Sequence, residues 1–263
     1  MMLTAQYWIP YSLEQSLSPD ELHVFRLDLD QVSVAHFPIK TILASGEIAR
    51  ASQFHFELDR KRFIARRILL RLILSRFLEV EPGRLEFGHN PFGKPFLKQP
   101  ADRAINFNVA HSERFALFAI SQAGPLGVDI ERVRPDSDYQ EIAERYFSTE
   151  ERSAILASSE KESPEVFYKL WTRKEAYIKG RGMGLSMPLE SFDTSQEKGG
   201  VVSPLEEMDE KTIGCAWVVL DLPPIQGFEA ALAVEDARQM VNTWDWTEVV
   251  SEMRVDWVSQ DRG

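Results

Sequence analysis

One stretch combines a helical pattern with charges on a single face: Leu170-Trp171-Thr172-Arg173-Lys174-Glu175-Ala176-Tyr177-Ile178-Lys179-Gly180. Apolar residues recur at helical spacing from Val166 to Ile178 and no proline interrupts them, which predicts an amphipathic helix. Gly180 stands where a C-cap glycine is expected, and a glycine-containing loop follows it. The first expectation is therefore a helix that ends at a pliable loop.

Three residues of this helix share one face. Trp171, Glu175 and Lys179 follow one another at four-residue intervals. A carboxylate and an ammonium beside a glycine loop are groups that would hold a metal-bound phosphate. The alternative is a surface ion pair next to a capped helix end.

Composition limits the class of protein. The 263 residues, 44% of them hydrophobic, suffice for one large domain or two small ones with a real core. A net charge of −11 argues against a general nucleic-acid binder. The lone Cys215 excludes an intramolecular disulfide.

We see no signal peptide and no apolar run near the ~20 residues that a membrane helix needs, so we expect a soluble, cytoplasmic protein.

A second helix is predicted from Arg60 to Leu78, with Asp59 as its N-cap. Its apolar stripe has helical spacing, while its other faces are basic. The cations are Arg60, Lys61, Arg62, Arg66, Arg67, Arg71 and Arg76. In an acidic chain this concentration indicates an anion site, although a solvated basic face is an equally good explanation.

Two further segments follow this helix. The Pro- and Gly-rich stretch 88–97 predicts turns rather than regular structure. Lys94 lies between Gly93 and Pro95, which suits either a phosphate contact or an ordinary exposed turn. Residues 105–112 alternate like a strand that ends at His111. Such a histidine is usually structural. No cysteine or second histidine lies nearby at metal-ligand spacing, so we do not expect a zinc site.

Paired carboxylates mark the next strands. Residues 115–121 and 128–132 read as strands around a turn at 123–127. Asp129 and Glu131 point to one face of their strand, where two anions repel unless a cation lies between them. The alternative is an edge strand with a solvated acidic face.

The rest of the chain shows elements without further motifs. Helices are expected over 138–146 and 148–157, strands over 228–234 and around Val218, and a mobile loop over 196–211. The tryptophans of the tail, Trp244, Trp246 and Trp257, are expected to pack on the core. The alternative is an exposed apolar patch that binds a partner.

The order of these motifs is more specific than any one of them. Gly93-Lys94-Pro95, the strand 106–112, the Gly-Val-Asp-Ile-Glu-Arg run at 127–132 and the Trp171 helix resemble the 4′-phosphopantetheinyl transferases of the larger, pseudodimeric class. The resemblance covers residues 40–195. It implies an α+β fold of two similar α/β halves about a pseudo-twofold axis, divided here into 1–123 and 124–263. Coenzyme A would lie in the cleft between the halves.

The same resemblance assigns site residues. It implies that Asp129, Glu131 and Glu175 hold magnesium, and that Glu175, Lys179 and Glu131 are catalytic. The residues implied to contact coenzyme A are Arg50, Arg62, Lys94, His111, Lys174 and Lys179. The chain departs from the family pattern at Glu47, where some relatives have lysine, and at Ala110, which replaces a serine.

The implied reaction is transfer of the 4′-phosphopantetheine arm of coenzyme A to a serine of an apo carrier protein. The carriers would be acyl or peptidyl carrier domains of fatty acid, polyketide or nonribosomal peptide synthases. Glu175 would take the serine proton, directly or through a water, while magnesium and Lys179 offset the charge on the departing adenosine 3′,5′-bisphosphate. We expect a monomer that binds neither nucleic acid nor membrane.

Two alternatives remain at this point. One is a non-catalytic protein that binds carrier proteins or nucleotides, although such a binder has no need of the metal set. The other is a nucleic-acid module built on the helix 60–76, which the net charge disfavours.

Overall fold

The structure is a computed structural model that describes residues 7–12, 21–101, 105–196, 202–204, 217–235 and 240–253. Three of the predicted features, Cys215, Trp257 and most of the loop 196–211, lie outside the described residues.

Strands and helices follow one another in runs along the described chain. The helices are α1 (Ile39–Ile42), α2 (Ser45–Ala51), α3 (Glu57–Leu78), α4 (Tyr139–Tyr146), α5 (Thr149–Ala157), α6 (Ser163–Arg181) and α7 (Thr247–Glu252). The strands are β1 (Ile9–Pro10), β2 (Leu22–Asp28), β3 (Glu86–His89), β4 (Pro95–Gln99), β5 (Asn106–Ser112), β6 (Phe115–Ser121), β7 (Leu126–Arg132), β8 (Phe192–Asp193), β9 (Ser203–Pro204), β10 (Val218–Asp221), β11 (Phe228–Val234) and β12 (Val241–Asp245).

The first half is a sheet covered by the long helix α3. Its strand order is β1-β12-β2-β6-β5, with the pairs on either side of β12 parallel and the remaining pairs antiparallel. The apolar stripe of α3, including Ile68 and Leu69, packs on Phe25 and Phe118 of the sheet in one core. Burial of this stripe is the main force that holds α3 in place.

The second half is the antiparallel sheet β10-β11-β7 with α6 on one face. Ala176 and Ile178 of α6 pack on Ala231 and Ala233 of β11. The opposite face, including Val128 and Ile130, packs on the first half. The α+β fold of two α/β halves is therefore confirmed, and β7 lies at the junction between them.

The C-terminal end of the chain does not stay with the second half. β12 lies between β1 and β2 in the sheet of the first half, and Trp244 and Trp246 are buried in the core beneath α3. The predicted range 124–263 for the second half is therefore wrong from residue 240 onward. The burial predicted for these two tryptophans is confirmed.

Three local predictions also need correction. Helix α3 begins at Glu57, two residues before the predicted cap Asp59. Helix α6 continues through Gly180 to Arg181 and ends at Gly182, whose left-handed φ of 65° favours glycine. The stretch 88–97 is not irregular, because β3 and β4 pair there as a hairpin.

In the described part of the chain, none of the helices combines the length and the apolar character needed to cross a lipid bilayer.

Candidate functional site

The site depends on a close approach of α6 to β7. A Cβ atom added at Gly127 would lie 2.1 Å from the Ala176 carbonyl oxygen and 2.2 Å from the Gly180 nitrogen. A Cβ added at Gly180 would in turn meet the ring of Trp217 at 2.4 Å. The absence of side chains at both positions lets the helix lie directly on the strand. This places the Glu175 and Lys179 side chains next to the acids of β7.

Asp129 is the buried centre of this site. Its side chain is 3% exposed, and Lys179 Nζ donates to its Oδ1 at 2.5 Å. The other oxygen, Oδ2, is buried and has no hydrogen-bond partner among the described residues. A solvated edge strand therefore does not describe Asp129, and an orphaned carboxylate oxygen leaves a place for a ligand.

Glu131 is held from the first half of the molecule. Ser112 Oγ, at the end of β5, donates to Glu131 Oε2 at 2.9 Å and accepts from the Arg132 N–H at 3.1 Å. Ser112 is buried. The carboxylate site, which we define as Asp129, Glu131, Glu175 and Lys179, thus spans the junction of the two halves.

The charges of the carboxylate site are coupled. Burial raises the pKa of Asp129 in spite of the nearby Lys179 ammonium. Burial and the Asp129 charge raise the pKa of Glu131. Burial and the charges of Asp129 and Glu131 raise the pKa of Glu175, which shows that the three acids share one environment. Burial opposes the charged form of Lys179, but Asp129 and the two glutamates raise its pKa overall.

Three carboxylates face one ammonium, so two negative charges stay uncompensated when all are ionised. Carboxylate oxygens, one of them orphaned, are a donor set that fits a hard divalent cation. Within the described ranges, however, no three acidic, histidine or cysteine side chains are spaced as a ready metal-ligand set. The structure thus brings the three predicted ligands into one site without placing them in ligand positions.

Lys94 joins the β3–β4 hairpin to the second half. Its Nζ donates to the Leu126 carbonyl at 3.1 Å and to the Gly180 carbonyl at 2.8 Å. Burial lowers the pKa of Lys94 to about 8. Two of the three ammonium hydrogens are therefore used within the protein, which leaves one for a phosphate. His111 is exposed near the end of β5, one residue before Ser112.

The two predicted arginines have different surroundings. Arg62 makes a bidentate pair with Asp30, at 2.8 and 2.7 Å. Arg50 is exposed, lies 5.9 Å from the centre of the Phe63 ring, and pairs with no acid among the described residues. Arg50 is thus the more available of the two for an anion.

Glu47, one of the two departures from the family pattern, also binds arginines. It accepts hydrogen bonds from Arg67 and Arg71 of α3. Its single negative charge is therefore shared between two cations of the basic helix.

The predicted role of Lys174 in coenzyme A binding is wrong. Its side chain is 0% exposed, and Nζ lies 2.7 Å from Glu151 Oε2, with the Leu189 and Phe192 carbonyls as further acceptors at 2.7 and 2.8 Å. One residue along a helix turns the side chain by about 100°, so Lys174 enters the interior while Glu175 faces β7.

Comparison with known proteins decides the family. The sequence model of the 4′-phosphopantetheinyl transferase superfamily matches residues 125–233, and that of the 4′-phosphopantetheinyl transferase N-terminal region matches 34–123. The 4′-phosphopantetheinyl transferase HetI of Nostoc sp. is 35% identical over 228 residues, which are 86% of this chain and 93% of that protein. The chain belongs to the 4′-phosphopantetheinyl transferase superfamily.

Two relatives from Bacillus subtilis are similar over shorter ranges. The transferase Sfp is 36% identical over 154 residues, covering 59% of this chain and 66% of that protein. The transferase ffp is 32% identical over 194 residues, covering 74% of this chain and 83% of that protein. These similarities support a transferase enzyme.

Sequence reasoning missed two residues around the site of this transferase. Ser112 holds Glu131, and Glu151 neutralises the lysine next to Glu175. The only signal for Ser112 was its place at the end of the strand motif. In the sequence, Glu151 stands three residues after Ser148, the spacing of a capping box, and its carboxylate accepts a hydrogen bond from the Ser148 N–H.

Proposed function

We propose that this transferase moves the 4′-phosphopantetheine arm of coenzyme A to a serine hydroxyl of an apo acyl or peptidyl carrier protein. The observation that carries this proposal is the carboxylate site, in which Asp129, Glu131, Glu175 and Lys179 lie together. Relatives named 4′-phosphopantetheinyl transferases support the reaction class. The other product is adenosine 3′,5′-bisphosphate.

We propose Mg²⁺ as the cofactor. Asp129, Glu131 and Glu175 are the residues that would hold it, because their oxygens suit a hard cation and their charge is not balanced by Lys179 alone. When bound, the ion supplies positive charge next to the pyrophosphate of coenzyme A. Among the described residues the three acids are not spaced as a ready ligand set, so their side chains would have to turn to hold the ion.

Glu175 is the proposed general base. In the protein without a bound ion, burial and the charges of two neighbouring acids raise its pKa, and burial continues to favour proton uptake by its carboxylate. The serine oxygen forms a bond to the phosphorus that carries the pantetheine arm, and its proton passes to Glu175. The bond from that phosphorus to the departing adenosine bisphosphate breaks.

Lys179 is proposed to stabilise the leaving group. The surrounding carboxylates keep its ammonium protonated in spite of burial. A fixed positive charge at this place stabilises the negative charge that develops on the departing oxygen.

Lys94, His111, Arg50 and Arg62 are proposed to bind the nucleotide part of coenzyme A. Lys94 has one free donor beside Gly180 of α6, and His111 is exposed close to Ser112. Changes at these residues should raise KM for coenzyme A more than they lower kcat.

The proposal is tested by incubating the protein with coenzyme A, Mg²⁺ and a panel of apo carrier proteins, followed by mass spectrometry of the carriers. We expect at least one carrier to gain a single phosphopantetheine, and Glu175→Gln to abolish that gain. Tight binding of coenzyme A and carriers without any transfer would instead support a non-catalytic binder.

We further propose that the active protein is a monomer. One chain supplies both halves and all four residues of the carboxylate site, which supports a functional monomer. Size measurement of the active protein by light scattering tests this, and activity confined to a dimer would contradict it. We also propose that the protein acts in the cytoplasm.

A further inference from the structure

The turn between β5 and β6 contains a glutamate in a backbone conformation that favours glycine. Ser112 and Phe115 pair at the ends of the two strands, so Glu113 and Arg114 form a two-residue turn. Glu113 has a φ of 49°, in the left-handed region where most side chains are strained. Glycine adopts such a conformation at less cost. A strained glutamate at this position points to a role for its side chain.

Glu79 is the other residue besides glycine that has a positive φ in the described part of the chain. Its φ of 53° ends helix α3, and a left-handed residue is the ordinary way to close a helix. The Glu79 side chain is exposed. The end of a helix therefore explains the backbone of Glu79, but it does not explain that of Glu113.

The Glu113 carboxylate binds two arginines of the second half. Its Oε2 accepts a hydrogen bond from Arg132 Nη1 at 2.5 Å, and its Oε1 lies 3.5 Å from Arg134 Nη2. The side chains of these arginines are 52% and 61% exposed. Ion pairs at this exposure add little to stability, so stability alone does not explain a strained residue in the turn.

Arg134 lies close to the carboxylate site. Glu131 of that site is held by Ser112, the residue directly before Glu113. Burial and the Asp129 charge raise the pKa of Glu131, whereas the Arg134 charge lowers it. The Arg134 guanidinium is thus within electrostatic reach of Glu131. Opposite charges at such a distance form an ion pair unless another group holds one of them, and Glu113 holds Arg134.

We propose that Glu113 is a positioning residue, which keeps Arg134 away from Glu131 and so leaves the Glu131 carboxylate free for a divalent cation. This inference rests on the proposed function, because it takes the carboxylate site to bind that cation. Glu113 acts through Arg134 and not on the reacting groups. A guanidinium paired with Glu131 would occupy its oxygens and repel the incoming ion.

The test measures binding of Mn²⁺ to the full chain without coenzyme A, by electron paramagnetic resonance of the free ion. Mn²⁺ takes the same oxygen ligands as Mg²⁺, and Asp129→Asn should remove the binding if it occurs at the carboxylate site. We expect Glu113→Gln to weaken Mn²⁺ binding about three- to fivefold, because the released Arg134 competes for Glu131. Arg134→Gln alone should change it less than about twofold, because Glu113 already holds this arginine.

The double variant Glu113→Gln/Arg134→Gln separates this competition from a general effect of charge. It has the net charge of the wild type and should bind Mn²⁺ within about twofold of it. Removal of the Arg134 charge should therefore strengthen binding in the Glu113→Gln protein but not in the wild type. If charge acted only over long range, Arg134→Gln would have the same effect in both proteins.

Glu79→Gly is the matched control for Glu113→Gly, since both changes place glycine at a left-handed position. Glu113→Gly should weaken Mn²⁺ binding as Glu113→Gln does, while Glu79→Gly should leave it unchanged. Neither glycine variant should melt below the wild-type temperature, because glycine relieves the backbone at both positions.

The proposal is overturned by unchanged Mn²⁺ binding in Glu113→Gln, by an equal effect of Arg134→Gln in both proteins, or by a wild type that binds no Mn²⁺. A melting temperature lowered by Glu113→Gly would assign Glu113 to folding instead. Failure of the proposed function is seen separately, as a wild-type protein that binds Mn²⁺ at the carboxylate site but transfers nothing. The comparison of single and double variants still tests Glu113 in that case.

Discussion

Lys174 and Glu175 are neighbours in sequence, yet their side chains enter different environments. Lys174 is enclosed with Glu151 and two backbone carbonyls, while Glu175 faces the acids of β7. The spacing of Trp171, Glu175 and Lys179 was enough to place two candidate site residues on one face. The spacing did not predict that the Lys174 side chain is buried. Helix α6 is covered on several sides, and its sequence does not show which polar residue has a buried partner.

Lys174→Met should therefore reduce stability rather than coenzyme A binding. Removing one partner of a buried ion pair leaves Glu151 charged and unpaired, which costs about 3–5 kcal/mol. Urea denaturation should show this loss, and the double variant Glu151→Gln/Lys174→Met should lose less than the sum of the single variants. A single variant as stable as wild type would contradict the assignment of Lys174 to the core.

Glu229 gives a prediction that depends on pH. It lines a cavity of about 280 Å³ with Lys169 and Asp221, and burial raises its pKa to about 7. Because the folded-state pKa lies above that of the unfolded chain, the stability that protonated Glu229 contributes is lost as pH rises through 7. Glu229→Gln should thus stabilise the protein more at pH 8 than at pH 5.

The expected difference between the two pH values is about 2–3 kcal/mol, since each pKa unit corresponds to about 1.4 kcal/mol. Chemical denaturation of variant and wild type at both pH values measures it. The same gain at pH 5 and pH 8 would show that Glu229 keeps an ordinary pKa.

At the scale of elements, the contact between α6 and β7 decides whether the site exists. Alternation along 128–132 correctly placed Asp129 and Glu131 on one face, and helical spacing correctly placed Glu175 and Lys179 on another. That the two faces meet was available only from the family resemblance, because no local pattern shows which helix packs on which strand. The β3–β4 hairpin was missed because its glycines and prolines also fit irregular turns.

Gly127→Ala tests this contact. Its Cβ would collide with the α6 backbone at 2.1 Å, so the helix must move away from β7 and take Glu175 and Lys179 with it. We expect a loss of transfer activity of at least about tenfold and reduced thermal stability, because a well-packed backbone contact cannot absorb a methyl group.

Gly124→Ala is the matched control, since nothing lies within 4 Å of a Cβ atom there. If Gly127→Ala behaves like this control in activity and melting temperature, the close contact between helix and strand is not required.

At the scale of the whole molecule, the two halves are not consecutive pieces of chain. β12 pairs with β1 and β2, which are more than two hundred residues away in sequence. Composition and periodicity could predict that 228–234 is a strand, but no local signal indicates which sheet receives the chain's last strand. The return of the C-terminal segment to the first sheet could therefore not be predicted from local sequence.

A chain that ends at residue 239 should not fold stably. It lacks β12, exposes the edge of β2 and removes Trp244 and Trp246 from the core. Circular dichroism and hydrogen exchange should show that the first half of this shorter chain is unfolded or partly folded. The control is a chain that ends at Met253, which keeps β12 and α7 and should fold. A cooperative, wild-type melting transition in the shorter chain would contradict this account of the sheet.

The measurement that tests the carboxylate site most directly is calorimetric binding of coenzyme A with and without Mg²⁺. In wild type we predict that Mg²⁺ strengthens binding at least about tenfold, because two uncompensated negative charges of the site become balanced. Asp129→Asn on β7 and Glu175→Gln on α6 should each remove that gain. A gain that persists in both variants, or no effect of Mg²⁺ in wild type, would show that strand and helix do not form one cation site.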